Sequence, residues 1–292
     1  MAQVQELGAA TELKFDQYEG DPYNDQLYRY DNCATGLASI DEFSDEHVAF
    51  YRETGFLVIQ GVFTPAEVEE ALAGFTDLVI GKHPDFVGVQ FEAASKKYVR
   101  TLSQEQQLDC VRKLQHFVQF EPRMEAMAWH PNLQRVVSRL LEAEPELFAD
   151  QALSKPPGIG REKPWHQDHA FFNLPMGTPI VGTWTALDPA TLENGCMHVK
   201  PGTHKEGPVV HFRRRDWQIC DDHLDLNRDV AVPLPPGGVL FFDGLMHHGT
   251  PANRSESRRR ALQFHFIPAG TERIEQEDRM AVFGSEGKDV DC

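Results

Sequence analysis

Apolar positions along this chain follow one spacing up to about residue 150 and another beyond it. In the first half, steps of three and four predict helices that each turn one face to a core. Residues 44–51 form a short one, with Ser44 as its N-cap. Thr64, Pro65 and Glu67 supply a cap, a first-turn proline and a capping-box acid, and the helix they open carries Val68, Leu72 and Phe75 on one side. Residues 104–147 are expected to be helical too. Leu108, Val111, Leu114 and Phe117 recur at three-residue steps, and Leu133, Val136, Val137, Leu140 and Leu141 make a second stripe. Between the helices, the run Gly-Phe-Leu-Val-Ile-Gln-Gly at 55–61 reads as a buried strand bounded by glycines.

Beyond residue 150 short apolar segments at 180–187, 197–200, 239–242 and 262–267 alternate with turns. The turns are Pro156-Pro157-Gly158, Asn194-Gly195, Pro201-Gly202 and Pro235-Pro236-Gly237-Gly238. Many short strands separated by such turns predict a sandwich or barrel. The fold class is therefore mainly β with α, a helical front part (41–150) covering a β core (151–270), with a tail at 271–292. Residues 1–40 are polar and without a sustained period, and read as an N-terminal extension. No linker composition or internal repeat divides 41–292, which is expected to be one domain.

Composition narrows the partners. A net charge of −17 argues against nucleic acid or an anionic membrane. No window is apolar for eighteen residues and no export signal opens the chain, so a cytoplasmic protein is expected. Cys33, Cys110, Cys196, Cys220 and Cys292 are odd in number and widely spaced, and read as reduced thiols.

The chemistry concentrates in Pro164-Trp165-His166-Gln167-Asp168-His169. Residues two apart on a strand point to one side, so His166 and Asp168 can converge. A distant His247-His248 pair can complete a face of two imidazoles and one carboxylate, the arrangement of non-haem Fe(II) sites. Periodicity does not choose between His247 and His248. Along 258–266, the even positions Arg260, Leu262, Phe264 and Phe266 form an apolar face. The odd positions Arg259, Ala261, Gln263 and His265 form a polar one that would face a cavity. Arg259 then enters the cavity, where its planar fork suits a carboxylate, while Arg258 and Arg260 are expected at the surface. Trp184 beside Gly182 suits a pocket wall or plain core packing equally. His211 and His223, in a 205–230 segment expected to form part of a lid, read as solvated loop residues.

These residues, with Ser154-Lys-Pro-Pro157, Glu193-Asn-Gly-Cys196, Pro201-Gly-Thr-His204, His248-Gly-Thr and Asn253-Arg-Ser255 in the same order, resemble the phytanoyl-CoA dioxygenase family of Fe(II)/2-oxoglutarate oxygenases over about 41–270. The resemblance implies a double-stranded β-helix (jelly-roll, cupin-like) core. It implies Fe(II) held by His166, Asp168 and His248, with 2-oxoglutarate and O2 as co-substrates and a small molecule as substrate. It selects His248 over His247, and independently selects Arg259 for the 2-oxoglutarate carboxylate. Trp184, and Lys113 in a helical Lys113-Leu-Gln-His-Phe117 segment, would line the co-substrate pocket. Related halogenases replace the carboxylate ligand with a small residue, so Asp168 points to hydroxylation. The competing readings are a catalytically silent jelly-roll that binds a metabolite and a cupin-like metal enzyme that uses no 2-oxoglutarate. The sequence leaves the substrate and the oligomeric state open.

Overall fold

The computed structural model describes residues 13–284 and 292. Two sheets face each other. The larger has eight strands, from the N-terminal Lys14–Phe15 through Val89–Phe91, Val111–Gln115, Pro145–Lys155, Arg259–Pro268, Val181–Ala186 and Val239–Asp243 to Phe56–Ile59. The smaller runs Asn32–Cys33, Val230–Val232, Met197–Val199, His248–Thr250, Lys163–His166. A hairpin of His211–Arg213 and Trp217–Ile219 stands apart. This is the expected jelly-roll.

Side-chain alternation along the long strand Arg259–Pro268 separates the two halves of the interior. Leu262, Phe264 and Phe266 join a core shared with the covering helices. Those helices are chiefly Pro65–Val79, Pro122–Ala128 and Pro131–Leu141. Ala261 joins a second core between the sheets, with Trp184, Met197, Val199 and Phe242. The stripe Leu133, Val136, Val137, Leu140 and Leu141 is buried on one helix as its spacing predicts. Helix Asp45–Thr54 ends at Gly55, whose φ of 82° turns the chain straight into the buried strand Phe56–Ile59.

Residues 104–117 depart from their pattern. Only Gln104–Gln107 is an α-helical turn, and Val111–Gln115 is a strand paired on both sides. The three-residue step is real but has another cause. A register shift opposite Gln90 and Phe91 pairs Gln90 with Lys113 and Phe91 with Val111, which turns Val111 to the same side as Leu114. Both then reach the helix-side core. The strand Pro145–Lys155 likewise occupies the end of the stretch read as helical.

Residues 13–40 are woven into the structure instead of extending from it. Lys14–Phe15 and Asn32–Cys33 pair in the two sheets, and buried Tyr28 stacks on Trp165 with ring centroids 5.5 Å apart. The expectation of five free thiols is also corrected. Cys220 and Cys292 are joined in a disulfide, leaving Cys33, Cys110 and Cys196 free. Spacing along a chain does not reveal a contact made by folding a terminus back over 72 residues. Among the described residues no helix is long and apolar enough to cross a membrane.

Gly182 ties the fold to the site. A Cβ there would lie 2.5 Å from the ring of Phe242, which is fully buried and packs against His248 at 4.8 Å between ring centroids. Gly182→Ala is expected to destabilise the protein by about 1–3 kcal/mol through overpacking, measured by urea unfolding. An unchanged midpoint would show that the Phe242 ring can move aside.

Candidate metal centre and its cavity

The smaller sheet brings the two imidazoles together. His248 and His166 are direct cross-strand partners on antiparallel neighbours, and their ring centroids are 4.2 Å apart. Strand Lys163–His166 stops at His166, and Asp168 opens a 3-10 turn that folds its carboxylate back toward the pair. Asp168 Oδ1 lies 3.3 Å from His166 Nε2 and 3.5 Å from His248 Nε2. One ligand atom from each of the three residues falls within 4.8 Å of the others, and all three residues are buried. His166 and Asp168 thus converge as the i, i+2 spacing leads one to expect, although the second sits in a turn and not on the strand.

Hydrogen bonds orient these groups. His166 Nδ1 lies 2.7 Å from the Pro164 carbonyl and His248 Nδ1 lies 3.0 Å from the Met246 carbonyl. A carbonyl only accepts, so both Nδ1 atoms carry a proton, and each ring turns its Nε2 toward the centre. Burial, with His248 and Lys163 nearby, pushes His166 down to about 4, which keeps it neutral. Burial alone would raise the Asp168 carboxyl. The imidazoles of His248 and His265 and the hydrogen bonds outweigh it and hold the group well below its ordinary range. Two imidazoles and an ionised carboxylate fit a divalent metal such as Fe(II).

Asp168 Oδ2 is held from the far side by His265 Nε2 at 2.6 Å and by Gln263 Nε2 at 3.0 Å. That leaves Oδ1 to the centre. The alternation along 258–266 had put both residues on the cavity face, but nothing in it named Asp168 as their partner. Gln167, between two of the triad residues, is fully buried. Its side chain donates to the carbonyls of Gly207 and Leu245 and accepts from Val209 N–H, and its backbone N–H donates to His211 Nε2. His211 is therefore a buried strand residue, not the solvated one expected, and burial lowers it to about 3. His223 is exposed. His247 is buried outside the triad, its Nε2 without a partner among the described residues.

A cavity of about 680 Å³ opens on the triad and is also lined by Arg259, Trp184 and Lys113. Arg259 is 2% exposed, and its Nε and Nη1 have no hydrogen-bond partner among the described residues. Its guanidinium stands 5.0 Å from the centre of the Trp184 ring. Burial, then Arg112, lowers it to about 9, the signature of a cation short of its counter-ion. Arg258 and Arg260 are half-buried partners of Asp109 and Asp188, with Arg260 Nε 2.7 Å from its acid, and not the solvated charges expected. Lys113 reaches the cavity from a strand, not from a helix. Burial, then Lys163 and Arg112, lowers its amine to about 8. At the rim Arg161 bonds Asp16 Oδ2 and Asp216 Oδ2 at 2.7 and 2.8 Å, which brings the N-terminal residues into the cavity wall.

The support under Asp168 generates a test. His265→Phe keeps the packing against Phe172 and removes a bond to Oδ2, and metal affinity should fall about 10–100-fold. Titration with Co(II), followed by its d–d absorption, reads the change. Unaltered affinity would leave His265 a packing residue only.

Comparison with known proteins follows the same lines. The profile of the family described as phytanoyl-CoA dioxygenase (PhyH) matches residues 51–261. Phytanoyl-CoA dioxygenase domain-containing protein 1 of Danio rerio is 24% identical over 268 residues, covering 78% of this chain and 91% of that protein. Peroxisomal phytanoyl-CoA dioxygenase of Rattus norvegicus is 29% identical over 234 residues, covering 76% and 67%. The non-heme alpha-ketoglutarate-dependent carbocyclase SnoK from nogalamycin biosynthesis superposes with a TM-score of 0.62 at 23% identity, covering 88% and 97%. EvdO2 from Micromonospora carbonacea var. aurantiaca, complexed with 2-oxoglutarate, gives 0.62 at 24% identity, covering 86% and 100%. The structures agree on the fold, and the profile spans most of the chain. The chain belongs to the phytanoyl-CoA dioxygenase family of non-haem Fe(II)/2-oxoglutarate-dependent oxygenases.

Proposed function

We propose that the protein hydroxylates an aliphatic C–H bond of a small molecule, with 2-oxoglutarate and O2 converted to succinate and CO2. The overall reaction balances: R–H, 2-oxoglutarate and O2 give R–OH, succinate and CO2. One observation carries this reading. A buried cation lacking a counter-ion, Arg259, lines the same cavity as a two-imidazole, one-carboxylate triad.

In this reading His166 Nε2, His248 Nε2 and Asp168 Oδ1 hold Fe(II). The bound metal supplies the O2 chemistry that couples 2-oxoglutarate decarboxylation to substrate oxidation. The remaining work belongs to the chain. Arg259 takes the distal carboxylate of 2-oxoglutarate in paired charge-assisted bonds, which restores the counter-ion its burial requires. Trp184 walls that carboxylate and holds the guanidinium plane in place. Lys113 adds a second positive charge to the same pocket. Phe171 against His166, and Phe172 against His265, at ring separations of 5.6 and 4.8 Å, shield the triad from bulk water. Asp168 contributes a carboxylate ligand where a small residue would leave room for a halide, which favours hydroxylation.

Asp168→Ala should abolish Fe(II)-dependent succinate formation from 2-oxoglutarate, and turnover retained in that variant would sink the assignment. Arg259→Ala should raise the 2-oxoglutarate concentration needed at least ~10-fold, through loss of a charge-assisted pair, and the iron requirement much less. Parallel changes in both would count against the role given to Arg259. Lys113 makes the pH dependence specific. Its amine is depressed to about 8, so the charge is present below that pH and is lost as pH rises through it. Affinity of the free enzyme for 2-oxoglutarate should therefore weaken between about pH 7 and 9, within a unit of that pKa. Lys113→Met should flatten this part of the profile, and a slope that survives the substitution assigns the titration elsewhere.

A further inference from the structure

The inner face of the eight-stranded sheet carries a row of amides in register. Gln263 lies opposite Gln151, Gln151 opposite Gln115, and Trp184 flanks Gln263 on its other side. Gln90 sits on the next strand beside Lys113. All four glutamines line the cavity that opens on the triad. Gln263 is engaged, since it donates to Asp168. The others are not fully used. Among the described residues the side chains of Gln115 and Gln151 make no hydrogen bond or ion pair. Gln90 donates from Nε2 to the Phe15 carbonyl at 3.2 Å, but its Oε1 is buried without a partner.

Neighbouring strands are spaced by ~4.8 Å, so from the strand that supports Asp168 this row reaches Gln115 at about 10 Å and Gln90 at about 14 Å. Each amide offers a donor pair and an acceptor at fixed positions. A hydrocarbon chain laid across them would strip their water and return no hydrogen bonds. Hydroxyl, amide or carboxylate groups would satisfy them. A site built to hydrogen-bond its substrate discriminates strongly against analogues that lack those groups.

We propose that Gln90, Gln115 and Gln151 form the substrate subsite, and that the substrate is a compact molecule bearing several hydrogen-bonding groups, not a long acyl chain. This rests on the oxygenase reading above and specifies what that centre oxidises. The acyl-CoA in the names of the curated relatives is then not the substrate class of this chain.

The test uses the full-length protein and defined probes. Anaerobic Fe(II) plus 2-oxoglutarate should first give the metal-to-ligand charge-transfer band. A protein that never forms the band fails the oxygenase reading itself. With the band present, succinate release is then measured with D-gluconate, N-acetylglucosamine or N-acetylglutamate as polar probes, and with decanoate or decanoyl-CoA as acyl probes. At least one polar probe should stimulate release about tenfold more than either acyl probe, in line with hydrogen-bonded discrimination. Gln115→Leu and Gln151→Leu should each raise the KM for that probe about tenfold while the KM for 2-oxoglutarate stays within about twofold. Stimulation by the acyl probes, failure of every polar probe, or leucine variants with unaltered probe KM would each overturn the subsite while leaving the band intact.

Discussion

An ionised carboxylate buried between two sheets is the constraint around which the interior is organised. Burial takes Asp168 out of most of the bulk solvent that would stabilise its charge. Two imidazoles approach one oxygen, and His265 and Gln263 donate to the other. Satisfying that carboxylate requires a strand of the large sheet to deliver His265 and Gln263, and two strands of the small sheet to deliver His166 and His248. The separation of the sheets and the register of His248 on His166 are therefore set together. The same arrangement leaves one oxygen and two ring nitrogens pointing at a single place, which is the condition for holding a metal.

Charge compensation also explains the opposite wall. Arg259 is as buried as Asp168 but lacks its support, since among the described residues no acceptor reaches its Nε or Nη1. Nearby cations are treated differently. Arg161, Lys163 and Arg112 are matched by Asp16, Asp216 and Glu92 within 3.4 Å. One cluster is matched acid for base, while the neighbouring guanidinium keeps an open place that the proposed 2-oxoglutarate carboxylate would fill. Such an asymmetry favours a binding site over a structural ion-pair network.

Much of this was legible in the chain, for identifiable reasons. Strict alternation along 258–266 separates core from cavity because the strand is long, regular and central, and Arg259, Leu262 and Phe264 fall where parity puts them. The stripe from Leu133 to Leu141 reads as a helix because one face packs uniformly. What failed did so where non-local pairing overrides local period. Val111 and Leu114 mimic a helical step only because a register shift reverses the side of the strand. The burial of His211 and the partners of Asp168 depend on contacts between segments tens of residues apart, and no spacing rule encodes them. The disulfide between Cys220 and Cys292 belongs to the same class.

Gln167 carries a consequence for how such a protein can change. It sits between His166 and Asp168 and fastens the turn at Leu245 and the stretch from Gly207 to His211 to the triad backbone. Insertions or substitutions in that stretch would be transmitted to the positions of both flanking residues, so this side of the cavity is poor material for divergence. Among the described residues the side chains of Gln115 and Gln151 bind nothing, and that of Gln90 only the Phe15 carbonyl, so exchanging them disturbs no bond to the triad. New specificities are cheapest to acquire there, and descendants of this scaffold should differ first along that wall.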